Sequence, residues 1–124
     1  MGWTRRSAIP AIVAGALPGA VRAQGPAAAT VAAPLFEGMG AYRAPDVSRS
    51  AAARRYVAQG LVLGWGFNPA EAARSFGGAL AHDPDCAAAS WGQAWALGPT
   101  INADMAAGDA AAVDAALRRA LAQR

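Results

Sequence analysis

The sequence lacks lysine and has one cysteine, one histidine and few aromatic residues among its 124 positions. A single cysteine excludes an internal disulfide, a Cys-based zinc finger and an iron–sulfur cluster. No stretch alternates apolar and polar residues with a period of two, so β-strands are not indicated. Alanine fills 37 positions and buries little side-chain surface. The length limits the chain to one domain, and we expect that domain to be all-α.

The first 23 residues have the layout of a secretory signal peptide. Arg5 and Arg6 are followed by an uncharged run of fourteen residues, and small residues precede a cleavage site expected after Ala23. The run is shorter than the roughly 20 residues that span a membrane. The arginine pair and Ile9 resemble a twin-arginine (Tat) signal, and an ordinary Sec signal is the alternative. We therefore expect a periplasmic or secreted protein with no membrane attachment after cleavage.

Removal of this segment changes the charge of the chain. The intact sequence carries a formal charge of +3, from eleven arginines and eight acids. Three of the arginines lie in the signal segment, so the mature chain has eight of each and is formally neutral. A neutral domain lacks the basic surface that binds phosphate backbones. We expect no nucleic-acid partner.

Four helices are predicted after a flexible leader and loop over residues 24–49. Their apolar residues recur at spacings of three and four, as on one side of a helix. Glycine and proline separate them. The predicted helices cover about 50–65, 69–81 and 85–97, and a last helix begins at 104 or 109 and ends near 123.

Helix starts can be assigned from capping residues. Asn68-Pro69 is a strong start signal, because the Asn side chain caps free N–H groups and Pro suits the first helical position. Asp46 or Ser48 is the expected cap of the first helix. Asp83 or Asp85 is the expected cap of the third.

The first two helices match the tetratricopeptide-repeat (TPR) pattern at five positions. Small residues at three of them allow close antiparallel packing, an aromatic residue fills the gap to the next hairpin, and proline ends the second helix. A generic Ala-rich hairpin is the alternative. Gln59 and Leu63 depart from the pattern, where Leu and Tyr are usual. The five matching residues are Gly60, Ala72, Phe76, Ala79 and Pro84.

From about Leu35 to Met105 the chain resembles a bacterial family of exported TPR proteins, as their N-terminal part or a truncated member. Relatives are usually longer and carry further repeats. They often have His where this chain has Pro69 and a second Cys where it has Ala89. The resemblance rests on the segments Tyr56–Leu61, Gly66–Asn68, Glu71–Phe76, Asp83–Ala87, Trp91-Gly92 and Leu97–Asn102.

The resemblance implies a non-catalytic scaffold for protein–protein or peptide interaction in an all-α, TPR-like antiparallel hairpin stack of three to four helices over residues 50–124. In such stacks the first helix of each pair lines a concave groove. Trp and Arg are enriched at binding hot spots, while the alternative for the tryptophans is a place in the core. The candidate groove residues are Arg54, Val57, Leu61, Trp65, Trp91 and Trp95.

A stack this short leaves its last helix with an unfinished packing face. Val113, Leu117 and Leu121 recur every four residues there. We expect this face to be exposed and to allow self-association.

Cys86 and His82 are the only residues that suggest chemistry. A redox or metal-binding accessory protein that uses both is the alternative function. One His, one Cys and a Pro turn between them make a poor metal site or nucleophile–base pair, and the neighbouring acids suit helix caps. We expect no enzyme activity, no cofactor and no metal.

Overall fold

The computed structural model describes residues 33–123, and within that range the secondary structure is four α-helices and no strand. The proposed signal peptide, the start of the leader and Arg124 lie outside the described residues. The helices are α1 (Ala51–Trp65), α2 (Pro69–His82), α3 (Ala87–Leu97) and α4 (Ala110–Ala122). The predicted all-α fold is confirmed, and α4 begins next to Asp109 rather than at Asp104.

Successive helices pack as antiparallel hairpins. Along α1, Tyr56 meets Gly78 and the later residue Gly60 meets the earlier Phe76 of α2. The end of α4 lies beside the start of α3, where the Ser90 hydroxyl donates to the Gln123 side chain at 3.0 Å. Helices α1 and α3 also touch and run parallel. The hairpin stack predicted from the sequence is therefore present. None of the helices described is long and apolar enough to cross a membrane.

Of the N-cap residues predicted for α1, α2 and α3, only that of α2 is the one observed. There Asn68 accepts a hydrogen bond from the Glu71 N–H, with Pro69 in the first turn, as predicted. The N-cap of α1 is Ser50, which accepts from the Ala53 N–H at 3.2 Å, so the assignment to Asp46 or Ser48 was wrong.

One long-range contact engages two of the residues that were assigned as caps, Ser48 and Asp83. Ser48 instead accepts from the Ser50 N–H and donates to Asp83, 35 residues away. Asp83 in turn accepts from the Asp85 N–H within the turn before α3. The N-cap of α3 is Cys86 and has no side-chain capping bond, so the predicted acidic cap was wrong.

The packing centres on the buried ring of Phe76 in α2. A Cβ atom built on Gly60 of α1 would lie 2.8 Å from this ring, and one built on Gly92 of α3 would lie closer still. Side-chain carbons do not approach an aromatic ring so closely. Phe76 therefore fills the gap between the two hairpins, as predicted, because glycine stands on both sides of it.

Residues 33–49, here called the strap, form no regular element but are bound to the helices. The buried side chain of Gln59 donates to the Pro34 carbonyl at 2.9 Å and to the Ser75 hydroxyl at 3.0 Å. Its amide oxygen accepts from the Phe36 N–H at 2.7 Å. A leucine at this position would leave these backbone groups without their partner. The departure from the TPR pattern at Gln59 thus fixes the start of the strap.

The glycine contacts give a matched pair of substitutions. Gly92→Ala places a methyl group against Phe76 and should lower the free energy of unfolding by about 1–3 kcal/mol, the usual cost of overpacking. Gly77, also within a helix, has only Gln93 near the added methyl, at 3.8 Å. Gly77→Ala should therefore raise the free energy of unfolding by about 0.5–1 kcal/mol through helix propensity. Urea denaturation followed by circular dichroism measures both, and equal effects would contradict the packing described.

Candidate functional site

Three of the six predicted groove residues come together in one aromatic cluster. The rings of Trp65 and Trp95 have centroids 5.6 Å apart and are tilted by 49°. The rings of Trp91 and Trp95 are stacked, with centroids 5.8 Å apart and an angle of 6°. These separations are typical of favourable aromatic pairs. The cluster thus joins the end of α1 to α3.

Glycine makes this arrangement possible. A Cβ atom on Gly64 would clash with the Trp95 ring. The ring therefore packs against α1 only because Gly64 has no side chain. Trp91 and Trp95 are four residues apart on α3 and therefore lie on the same side of the helix. Trp65 reaches the same place because α1 and α3 run parallel. The three tryptophans form a continuous stack across two helices.

The cluster faces solvent. Trp65 is 76% exposed and Trp91 is 49% exposed, whereas Trp95 is half-buried and packs against the core. The alternative that the tryptophans belong to the core therefore holds only for Trp95. Exposed aromatic groups of this kind mark interaction sites more often than isolated apolar residues do.

Phe67 adds a fourth aromatic side chain at the same end of the stack and was not singled out from the sequence. It follows α1 in the turn before α2, is 82% exposed and has a φ angle of 61°. A bulky residue in left-handed backbone costs on the order of 1–3 kcal/mol and is characteristic of functional turns. In the sequence, Gly66-Phe67-Asn68 was interpreted as a helix break and as one segment of the family resemblance, with no binding role for Phe67. We call Trp65, Phe67, Trp91 and Trp95 the aromatic surface.

The other three predicted groove residues do not belong to this surface. Val57 is buried in the core, and Leu61 is half-buried against it. Arg54 lies near the start of α1, where its guanidinium donates to the Ser48 carbonyl. The pattern placed all six on one groove because it assumes regular TPR geometry, whereas these three contact the core or the strap.

Cys86 and His82 have different neighbours. Cys86 is 1% exposed, and its thiol donates to the Val47 carbonyl at 3.5 Å. The exposed ring of His82 stacks on Tyr56, with centroids 5.6 Å apart. Within residues 33–123, no three His, Cys, Asp or Glu side chains gather in a way that would hold a metal ion.

Comparisons with protein-family models, curated proteins and solved structures find no match to this chain.

The burial of Cys86 predicts that its thiol reacts slowly with alkylating reagents. Alkylation by iodoacetamide should be at least about tenfold slower in the native protein than in guanidinium chloride, because a buried sulfur reacts only through local opening. The rate is followed by mass spectrometry, and the unfolded chain is the internal control. Rapid native labelling that zinc suppresses would instead support the redox or metal-binding alternative.

Proposed function

We propose that this chain is a non-catalytic, exported scaffold of the TPR type that binds a protein or peptide segment at the aromatic surface. The observation that carries the proposal is the exposed stack of Trp65, Trp95 and Trp91 across two helices. The hairpin packing around Gly60 and Phe76 supports the TPR assignment, since the pattern requires a small residue and an aromatic residue there.

The energetics favour a partner with apolar side chains. Trp65 and Trp91 are held in place by Trp95, so little side-chain freedom remains to be lost on binding. Covering each exposed ring contributes roughly 1.5–3 kcal/mol. Two such rings together are enough to act as hot spots for a peptide segment.

Export to the periplasm or outside the cell is part of the same proposal. It rests on the signal-peptide layout of residues 1–23. Tat and Sec export are both compatible with that segment. The redox or metal-binding alternative has less support, because the Cys86 thiol is buried and His82 stacks on Tyr56.

Self-association through α4 is a second candidate role. Leu117 and Leu121 are exposed, Val113 is half-buried, and Ala116 is the one buried residue of this helix. An apolar face of this kind on the last helix of a stack is suited to pack against a further helix.

The binding proposal can be tested with a phage library of short random peptides selected on the wild-type chain. Peptides enriched in the selection should lose affinity about tenfold or more on Trp91→Ala, since truncation of a hot-spot tryptophan costs at least about 2 kcal/mol. Ile101→Ala is the control, because it removes an exposed apolar side chain outside both the aromatic surface and α4. Fluorescence polarisation of the synthetic peptides gives the affinities. Failure to enrich any peptide, or equal losses in both variants, would contradict the proposal.

Light scattering tests the second role. If α4 mediates self-association, the wild-type chain should form a dimer or larger species, and Leu117→Glu with Leu121→Glu should give a monomer, because buried carboxylates oppose the interface. Ala111→Glu adds charge to an exposed position of the same helix and should leave the assembly intact. A wild-type monomer that unfolds cooperatively would count against this role.

A further inference from the structure

A cleft lies between α1 and the strap, and none of its lining residues belongs to the aromatic surface. The cleft has a volume of about 510 Å³, within the range of small-molecule sites. It is therefore separate from the surface assigned to a peptide partner.

The lining of the cleft combines apolar groups with positive charge. Apolar and aromatic contacts come from the strap, through Phe36, Met39 and Tyr42, and from Val62 of α1. Phe36 and Tyr42 are exposed there, so their rings are accessible to a ligand.

Three arginines line the same cleft, namely Arg43, Arg54 and Arg55. No aspartate or glutamate lines it. None of the three arginines forms an ion pair within the described range, where the two pairs are Arg74–Glu71 and Arg118–Asp114. The acid nearest to the cleft along the chain is Glu37, which lies in the strap and does not line the cleft.

Arg43 and Arg55 carry most of the positive charge in the cleft that no acidic side chain balances. Arg54 donates to the Ser48 carbonyl and also borders a second, wider opening that contains Asp46 and Asp83. Arg43 donates one N–H to the carbonyl of Tyr42 at 3.1 Å, which leaves its other donors available. A guanidinium carries five donors in a planar fork that matches carboxylate and phosphate oxygens.

The start of the strap is anchored to α1 beside the cleft. Gln59 lines the cleft and is buried, and it holds Pro34 and Phe36 through two hydrogen bonds. A segment held in this way reduces the ordering cost of binding.

We infer that this cleft binds an organic anion, with an apolar body against the strap and a carboxylate or phosphate group at Arg55 and Arg43. This site is independent of the proposed peptide-binding function, because its residues lie outside the aromatic surface.

Isothermal titration calorimetry on the full 124-residue chain tests the inference. Octanoate and octyl phosphate are the probes, and 1-octanol is the uncharged probe of equal chain length. At least one anion should bind with a stoichiometry of one and should bind more tightly than 1-octanol. The relative affinities of the two anions identify the preferred head group.

Variants locate the binding. Arg55→Gln and Arg43→Gln should each weaken the bound anion about tenfold, since each removes a charge-assisted hydrogen bond. Arg119→Gln, on the exposed side of α4, removes the same charge at a distance and should have no effect. Circular dichroism checks that each variant is folded, and the use of two positions guards against one of them failing to fold.

Three results would overturn the inference: no binding of either anion, binding of 1-octanol as tight as that of the anions, or equal weakening by Arg119→Gln.

Discussion

The ring of Phe76 sets the spacing of three helices at once. It stands on α2 and meets the bare backbone of α1 at Gly60 and of α3 at Gly92. Because the same ring contacts both helices, α1 and α3 lie side by side with Gly60 and Gly92 at the same level along their axes. That alignment brings Gly64 opposite Trp95 one turn further along and so places Trp65 beside the tryptophans of α3. The aromatic surface is thus a consequence of how one phenylalanine is packed.

The alanine-rich interior explains why large rings lie at the surface. The buried apolar residues are mostly alanine, and the largest side chains among those fully buried are Phe76, Val57 and Cys86. Helices separated by Ala and Gly approach too closely to enclose a tryptophan between them. The Trp65 and Trp91 rings therefore lie at the edge of the helix interface, where they pack on Trp95 and remain open to solvent.

Sequence signals predicted the structure where they act within one turn or form part of a repeat pattern, and failed where a contact distant in sequence intervenes. Asn68-Pro69 predicts the start of α2 because cap and proline act within one turn. Gly60 and Phe76 were recognised because a repeat pattern records their packing. Ser48 was mistaken for a cap because its partner, Asp83, lies 35 residues away. Gln59 was seen only as a departure from the pattern, since its contacts with the strap span 23 and 25 residues. The three tryptophans lie together in the structure, but their exposure depends on packing that no short motif records.

The hydrogen bonds of Gln59 also make the two ends of the helix stack different. On the outer side of α1 the chain covers its own first helix with the strap, and the hydrogen bonds at Pro34 and Phe36 hold that cover in place. On the opposite side, α4 presents Leu117 and Leu121 without such a cover among the described residues. One flank of the stack therefore carries the hydrogen-bonded strap, and the other carries an exposed apolar helix face. A helix that packs against α4 would meet exposed leucine side chains directly, whereas a helix that approaches α1 from the other flank would first meet the strap.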